Sequence, residues 1–185
     1  MALLFPQTAR AGTKVMVFID GENLAIRYKN KLKELNKAGP PAHVSLETNV
    51  YVWSTRLNMY TFSSELIRKY YYTSVQGDTD KVVEIEEKLK ALHIERPRVF
   101  KKARGNRGTK RVDITLATDM LTHAYRKNYD IAVLVAGDED YVPLVEAVMS
   151  EGRRVVLWFI DNGLSPILRR AADFYCDIGE ILFKD

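Results

Sequence analysis

The sequence predicts an α/β fold with a mainly parallel sheet covered by helices on both faces. Short apolar runs rich in β-branched residues read as strands buried on both sides: "VMVFI" (15–19), "IAVLVA" (131–136) and "VVLWFI" (155–160). These runs alternate with segments of helical periodicity, and that alternation implies crossover connections between parallel strands. The first two runs also end alike. One releases "DGEN" (20–23) and the other "GDED" (137–140).

The elements follow in order. Val15–Ile19 is the first strand. Leu24–Lys37 reads as a helix, stopped by Gly39, Pro40 and Pro41. Residues 42–60 fit either a strand or a turn-rich insertion. Ser63–Lys69 reads as helix and Tyr70–Val75 as strand. "QGDTD" is a turn in which Asp78 or Asp80 caps a helix running to about His93. Val99–Lys102 is a short strand. Val112, Leu116, Ala117, Met120, Leu121 and Ala124 form one helical stripe. After the strand Ile131–Ala136, Tyr141–Ser150 is a helix that tolerates Pro143 in its first turn. Val155–Ile160 is a strand, Ser165 and Pro166 start a helix to about Ala172, and Phe174–Ile178 is a last strand.

Composition sets bounds. A chain of 185 residues, 46% hydrophobic, can bury a full core and is expected to form one domain over 1–185, its core about 15–178. No apolar run approaches the roughly 20 residues that span a bilayer, and the apolar core of "MALLFPQTAR" is too short for a secretory signal. Cys176 is the only cysteine, which excludes an intrachain disulfide; His43, His93 and His123 lack zinc-ligand spacing. The expectation is a soluble cytoplasmic protein without a membrane partner. The net charge is +4, yet "RPRVFKKARGNRGTKRV" (96–112) carries eight Lys or Arg and no acid, leaving −4 on the remainder. A dense basic segment on an acidic body attracts polyanions, nucleic acid above all. The competing reading is a solvated basic loop.

The acids suggest a site. In open α/β sheets, ligands bind beyond the carboxyl ends of the strands. Asp20, Asp138 and Asp140 lie there, and Asp113, expected in the first turn of the helix after the basic segment, would point at the same crevice. Gathered carboxylates raise one another's pKa. A hard divalent cation, Mg²⁺ or Mn²⁺, relieves that cost and can activate water at a phosphodiester. Each acid also has a plainer role: Asp20 as a strand-ending turn, Asp138 or Asp140 as a helix cap, Asp113 as complement to a helix dipole. Asn23 either bonds a ligand or caps the first helix. Glu22 and Glu139 read as solvent-facing or supporting. Asp119 lies six residues beyond Asp113, on another face of an ideal helix, where it can bond a neighbouring backbone or basic group.

"VFIDGENLAI", "RVDITLATDML" and "VLVAGDEDYVPLVEAV", in that order, resemble the NYN domain group, LabA-like members of the PIN-like nuclease superfamily. The ending "LSPILRRAADFYCDI" is similar to the last helix and strand of that family. The resemblance implies a three-layer α/β/α fold and a metal-dependent ribonuclease. It matches Asp20, Asp113, Asp138 and Asp140 to the acidic metal-site residues and Asn23 to the polar residue beside the first. Asp119 matches a recurring family acid. The stretch Pro40–Tyr60 exceeds what a minimal member needs.

The expected activity is hydrolysis of RNA, preferably single-stranded, with Mg²⁺ or Mn²⁺ at the four aspartates. Lys101, Lys102, Arg104, Arg107, Lys110 and Arg111 would hold flanking phosphates, and Gly105 and Gly108 would let their loop bend. The alternative is a non-catalytic RNA-binding or regulatory module. Tyr70, Tyr71 and Tyr72 fit core and edge packing better than base stacking. A phosphatase of the haloacid dehalogenase type would need a second Asp where this chain has Glu22.

Overall fold

A computed structural model describes residues 12–61, 65–102 and 107–184. Its elements run β1 (Lys14–Asp20), α1 (Gly21–Glu34), β2 (Val44–Glu47), β3 (Tyr51–Ser54), β4 (Glu65–Val75), α2 (Thr79–Ala91), β5 (Arg96–Lys101) and α3 (Arg107–Tyr125). Then come β6 (Ile131–Val135), α4 (Val142–Ser150), β7 (Arg154–Phe159), α5 (Pro166–Ala171), β8 (Phe174–Asp177) and α6 (Gly179–Phe183). A six-stranded parallel sheet has the order β5-β4-β1-β6-β7-β8. β2 and β3 form a separate antiparallel hairpin.

Each face of the sheet builds its own core. Side chains alternate along β1, so Val15, Val17 and Ile19 join α1, α2, α6 and the hairpin on one side. Met16 and Phe18 join α3, α4 and α5 on the other. The result is the three-layer α/β/α arrangement, and both faces of β1 are fully covered.

Three readings need correction. The part of Ser63–Lys69 that is described is strand: β4 begins at Glu65, whose amide bonds to Thr13, and pairs with β1 through a register shift at Val15/Met16. Good helix formers in "ELIRK" yield to pairing with a central strand. The first helix begins at Gly21, with Asp20 as its N-cap, not at Leu24. The basic run was read as loop up to Val112, but helix α3 starts at Arg107. Lys and Arg favour helix, and one glycine, Gly108, costs a helix only about 1 kcal/mol. Asp113 therefore sits in the second turn, beyond the reach of the dipole reading. Arg104 and Gly105 lie outside the described residues.

Residues 42–60 resolve into the hairpin and a 3₁₀ turn, Thr55–Thr61. Tyr71 ties the hairpin to the sheet. Its buried hydroxyl donates to the Val52 carbonyl and accepts from the Val52 amide, both at 3.0 Å. Thr73 adds a bond to the Val50 carbonyl. In Tyr71→Phe two buried backbone groups lose their partner, so we expect a loss of about 1–3 kcal/mol. Urea denaturation should show a lower midpoint at unchanged slope; an unchanged midpoint would mean the two Tyr71 hydroxyl bonds add nothing net to hairpin docking.

Candidate functional site at the carboxyl ends of β1 and β6

The chain reverses its winding at β1. It builds outward through β4 and β5, then crosses by α3 to β6 on the other side of β1. Such a switch point opens a crevice beyond the strand ends. Asp20 ends β1, and Gly137 and Asp138 follow β6. Two glycines permit this crowding. A Cβ on Gly21 would overlap the Tyr71 ring, and one on Gly137 would overlap Phe159. Asn23 laces the two loops together, its side-chain oxygen accepting from the Gly137 amide at 3.2 Å.

Asp20 has the parity of Met16 and Phe18 and so faces α3. One carboxylate oxygen accepts from the Asn23 amide at 3.0 Å as the helix cap. The other lies 3.0 Å from the Tyr141 hydroxyl. That same hydroxyl lies 3.1 Å from Asp113 on α3. A phenol has one hydrogen, so both contacts are satisfied together only when one carboxyl is protonated and donates in return. The electrostatics agree. Burial, with the charges of Asp113 and Glu22 adding to it, pushes the Asp20 pKa up to about 7 against the hydrogen bonds that lower it. Partial desolvation raises Asp113 too, and Asp138, Glu22 and Asp140 add to it. Tyr141 is raised well above its ordinary value by burial and then by the two aspartates.

Asp138 and Asp140 are exposed at the rim, and an Asp138 oxygen accepts from the Asp140 amide at 3.2 Å. With Asp113 and Tyr141 they line one cleft between α3 and α4. Among the described residues, none of Asp20, Asp113, Asp138 and Asp140 forms an ion pair with Lys or Arg. Nor, among the described residues, do any three His, Cys, Asp or Glu side chains come together in a group that could hold a metal ion, so the four aspartates do not gather as one ligand set. The donor set suits an open site instead. Mg²⁺ commonly takes one or two carboxylates and completes its shell with water and phosphate oxygens, and Asp20 and Asp113 already converge on one hydroxyl.

The sequence matches the NYN domain family over residues 14–179. The chain belongs to the NYN domain family. Members of that family are generally nucleases. The low amplitude and bright protein LabA of Synechococcus elongatus is 26% identical over 123 residues, which cover 63% of this chain and 65% of LabA. An uncharacterized protein of Methanocaldococcus jannaschii is 29% identical over 69 residues, 37% of this chain and 29% of that protein. The chain thus spans less than two thirds of either curated relative. A Vibrio parahaemolyticus protein of unknown function has the same fold, with a TM-score of 0.62 at 15% identity, covering 94% of this chain and 96% of the other.

The basic residues of this NYN domain disperse. Lys101 is exposed at the carboxyl end of β5. Lys102 pairs with the buried Glu22, which also accepts from Ser74 at 2.6 Å. Lys110 and Arg111 are exposed on α3, and the Arg111 guanidinium lies 4.7 Å over the Phe100 ring. Arg107 opens α3. Asp119 lies away from the other acids, accepting from Tyr72 at 3.0 Å and pairing with Arg98 at 3.6 Å. Tyr70, Tyr71 and Tyr72 are buried.

Sequence reasoning missed one participant. Tyr141 reads from sequence as an ordinary first helical residue, but it ends the 3₁₀ turn Glu139–Tyr141 and precedes α4. Of the two readings of Glu22, solvent-facing or supporting, its burial selects the second. A signal for Glu22 existed: Ser74, a polar residue at the carboxyl end of a buried strand, shares its face with Tyr70 and Tyr72.

The raised Asp20 pKa has a signed consequence in metal-free buffer. The unfolded chain loses this proton near pH 3.8, the native chain near pH 7. Between those values the native state holds the extra proton, so stability falls as pH rises. Asp20→Asn removes the buried charge and can still cap α1. It should exceed wild type by a few kcal/mol at pH 8, with the gap closing toward pH 4. Thermal denaturation across that range checks it; a variant no more stable at pH 8 would show that Asp20 is already ionised at little cost.

Proposed function

We propose that this NYN domain is a metal-dependent ribonuclease that hydrolyses phosphodiester bonds of single-stranded RNA. The convergence of Asp20 and Asp113 on Tyr141, with no ion-pair partner for either among the described residues, carries the proposal. Asp20 and Asp113 would hold Mg²⁺ or Mn²⁺, with Asp138 and Asp140 facing the same cleft from the rim. Such an ion, when bound, supplies the charge that activates water and stabilises the leaving oxygen.

The remaining steps belong to the protein. Asp20 and Asp113 would give up to solvent the proton that lets both contact Tyr141 whenever positive charge occupies the site. The Tyr141 hydroxyl then donates to one carboxylate and holds its orientation. Asn23 fixes the spacing of the two acidic loops through the Gly137 amide. Lys101, Lys110 and Arg111, with Arg104 and Arg107, would meet the flanking phosphates, and Lys102 is already committed to Glu22.

The lack of a closed three-ligand cluster among the described residues favours a second reading, an RNA-binding module without turnover. Cleavage of labelled single-stranded RNA and matched DNA, in EDTA, Mg²⁺ or Mn²⁺, separates the two. We expect RNA products that need the metal and fall at least a hundredfold in Asp20→Asn and Asp138→Asn. Salt-sensitive binding with no products under any metal would select the module. Undiminished cleavage by Asp20→Asn would remove the acids from the mechanism.

A further inference from the structure

We propose that the cleft between α3 and α4 seats a nucleobase of the bound strand, next to the phosphate held at the acids; this rests on the reading of the site as one for RNA. The cleft holds about 460 Å³, within the range of small-molecule sites. Asp113, Asp138, Asp140 and Tyr141 line it together with apolar side chains. One ligand can therefore touch the acids and the apolar walls at once.

The walls follow from helical spacing. Ile114, Ala117 and Leu121 recur on one face of α3, and Pro143, Leu144 and Ala147 on one face of α4. Larger side chains at 117 and 147 would close the helices on each other. Two alanines on opposite walls leave a slot, and Ile114 stands 65% exposed beside Asp113. An apolar slot running out from a phosphodiester site suits the flat face of a base, which every base presents. The Thr118 hydroxyl is spent on the Ile114 carbonyl at 2.7 Å. The rim carboxylates Asp138 and Asp140 are left as acceptors for exocyclic amino groups. A lipid tail would satisfy the apolar walls but leave the acids without a partner, and a cationic peptide would meet both but is not called for by a phosphodiester site next to the slot.

Filling the slot tests this. Fluorescein-labelled hexamer RNA and an abasic ribose-phosphate hexamer of equal charge are titrated with full-length protein in Ca²⁺, with metal-dependent cleavage measured separately. Wild type should prefer the RNA at least tenfold. Ala117→Phe should bring RNA affinity down to that of the abasic strand. Ala147→Phe fills the slot from the other helix and should do the same; circular dichroism confirms that both fold. Equal binding of the two strands by wild type, or a base preference kept in both folded variants, overturns the base seat, whether or not RNA is cleaved. A preference lost in the variants, with no cleavage by wild type, keeps the base seat and sinks the nuclease reading. No binding of either strand sinks both. A change in sedimentation with no change in RNA affinity would assign the cleft to a second copy of the chain, which also overturns the proposal.

Discussion

The site depends on one buried carboxylate. Asp20 ends the central strand, and each of its oxygens has a separate task. One caps α1 through the Asn23 amide, and the other meets Tyr141. The first task is structural and would be met as well by Asn or Ser. The second places charge at the bottom of the crevice, where burial disfavours it. The requirements of folding alone would not select this residue. Asp20 is thus a position where local stability and the site's chemistry oppose each other, as functional positions often do.

The topology turns that single residue into a site. Because β1 has β4 on one side and β6 on the other, the loops after β1 and β6 leave the sheet side by side. α3 must cross from the β5 edge to reach β6, and that path brings Asp113 over the carboxyl end of β1. Tyr141 enters from the turn after β6. Acids far apart in the chain meet at one phenol because the sheet reverses its winding there.

Much of this was legible in the sequence, for physical reasons. Strands buried on both faces announce themselves as unbroken apolar runs, and parity along β1 already sends Asp20 to the face of Phe18. Local caps were legible too: Asp78 and Ser165 cap the helices that follow them. What failed was context. "ELIRK" has helical propensity, but the edge of β1 recruited it as strand. The basic run looked like a loop because two glycines punctuate it, yet the helix begins at Arg107. Tyr141 was invisible as a site residue because a buried tyrosine in sequence is indistinguishable from core, and only its hydroxyl's two partners set it apart.

Among the described residues, the acidic site stays without an ion pair in a basic protein. A net charge of +4 could have been arranged to quench the crevice. Among the described residues, Lys102 pairs instead with Glu22 and Arg98 with Asp119, and the Arg111 guanidinium lies over the face of Phe100. Glu22 is the informative case. It lies close enough to raise the Asp20 pKa, yet it receives both a lysine and a serine hydroxyl, while Asp20 receives only neutral donors. A lysine on Asp20 would have set a counter-charge beside it and occupied the place of an external cation. Compensating one acid fully and leaving its neighbours without a counter-charge is an arrangement that burial alone does not favour. Positive charge from solution, as proposed above, would offset its cost.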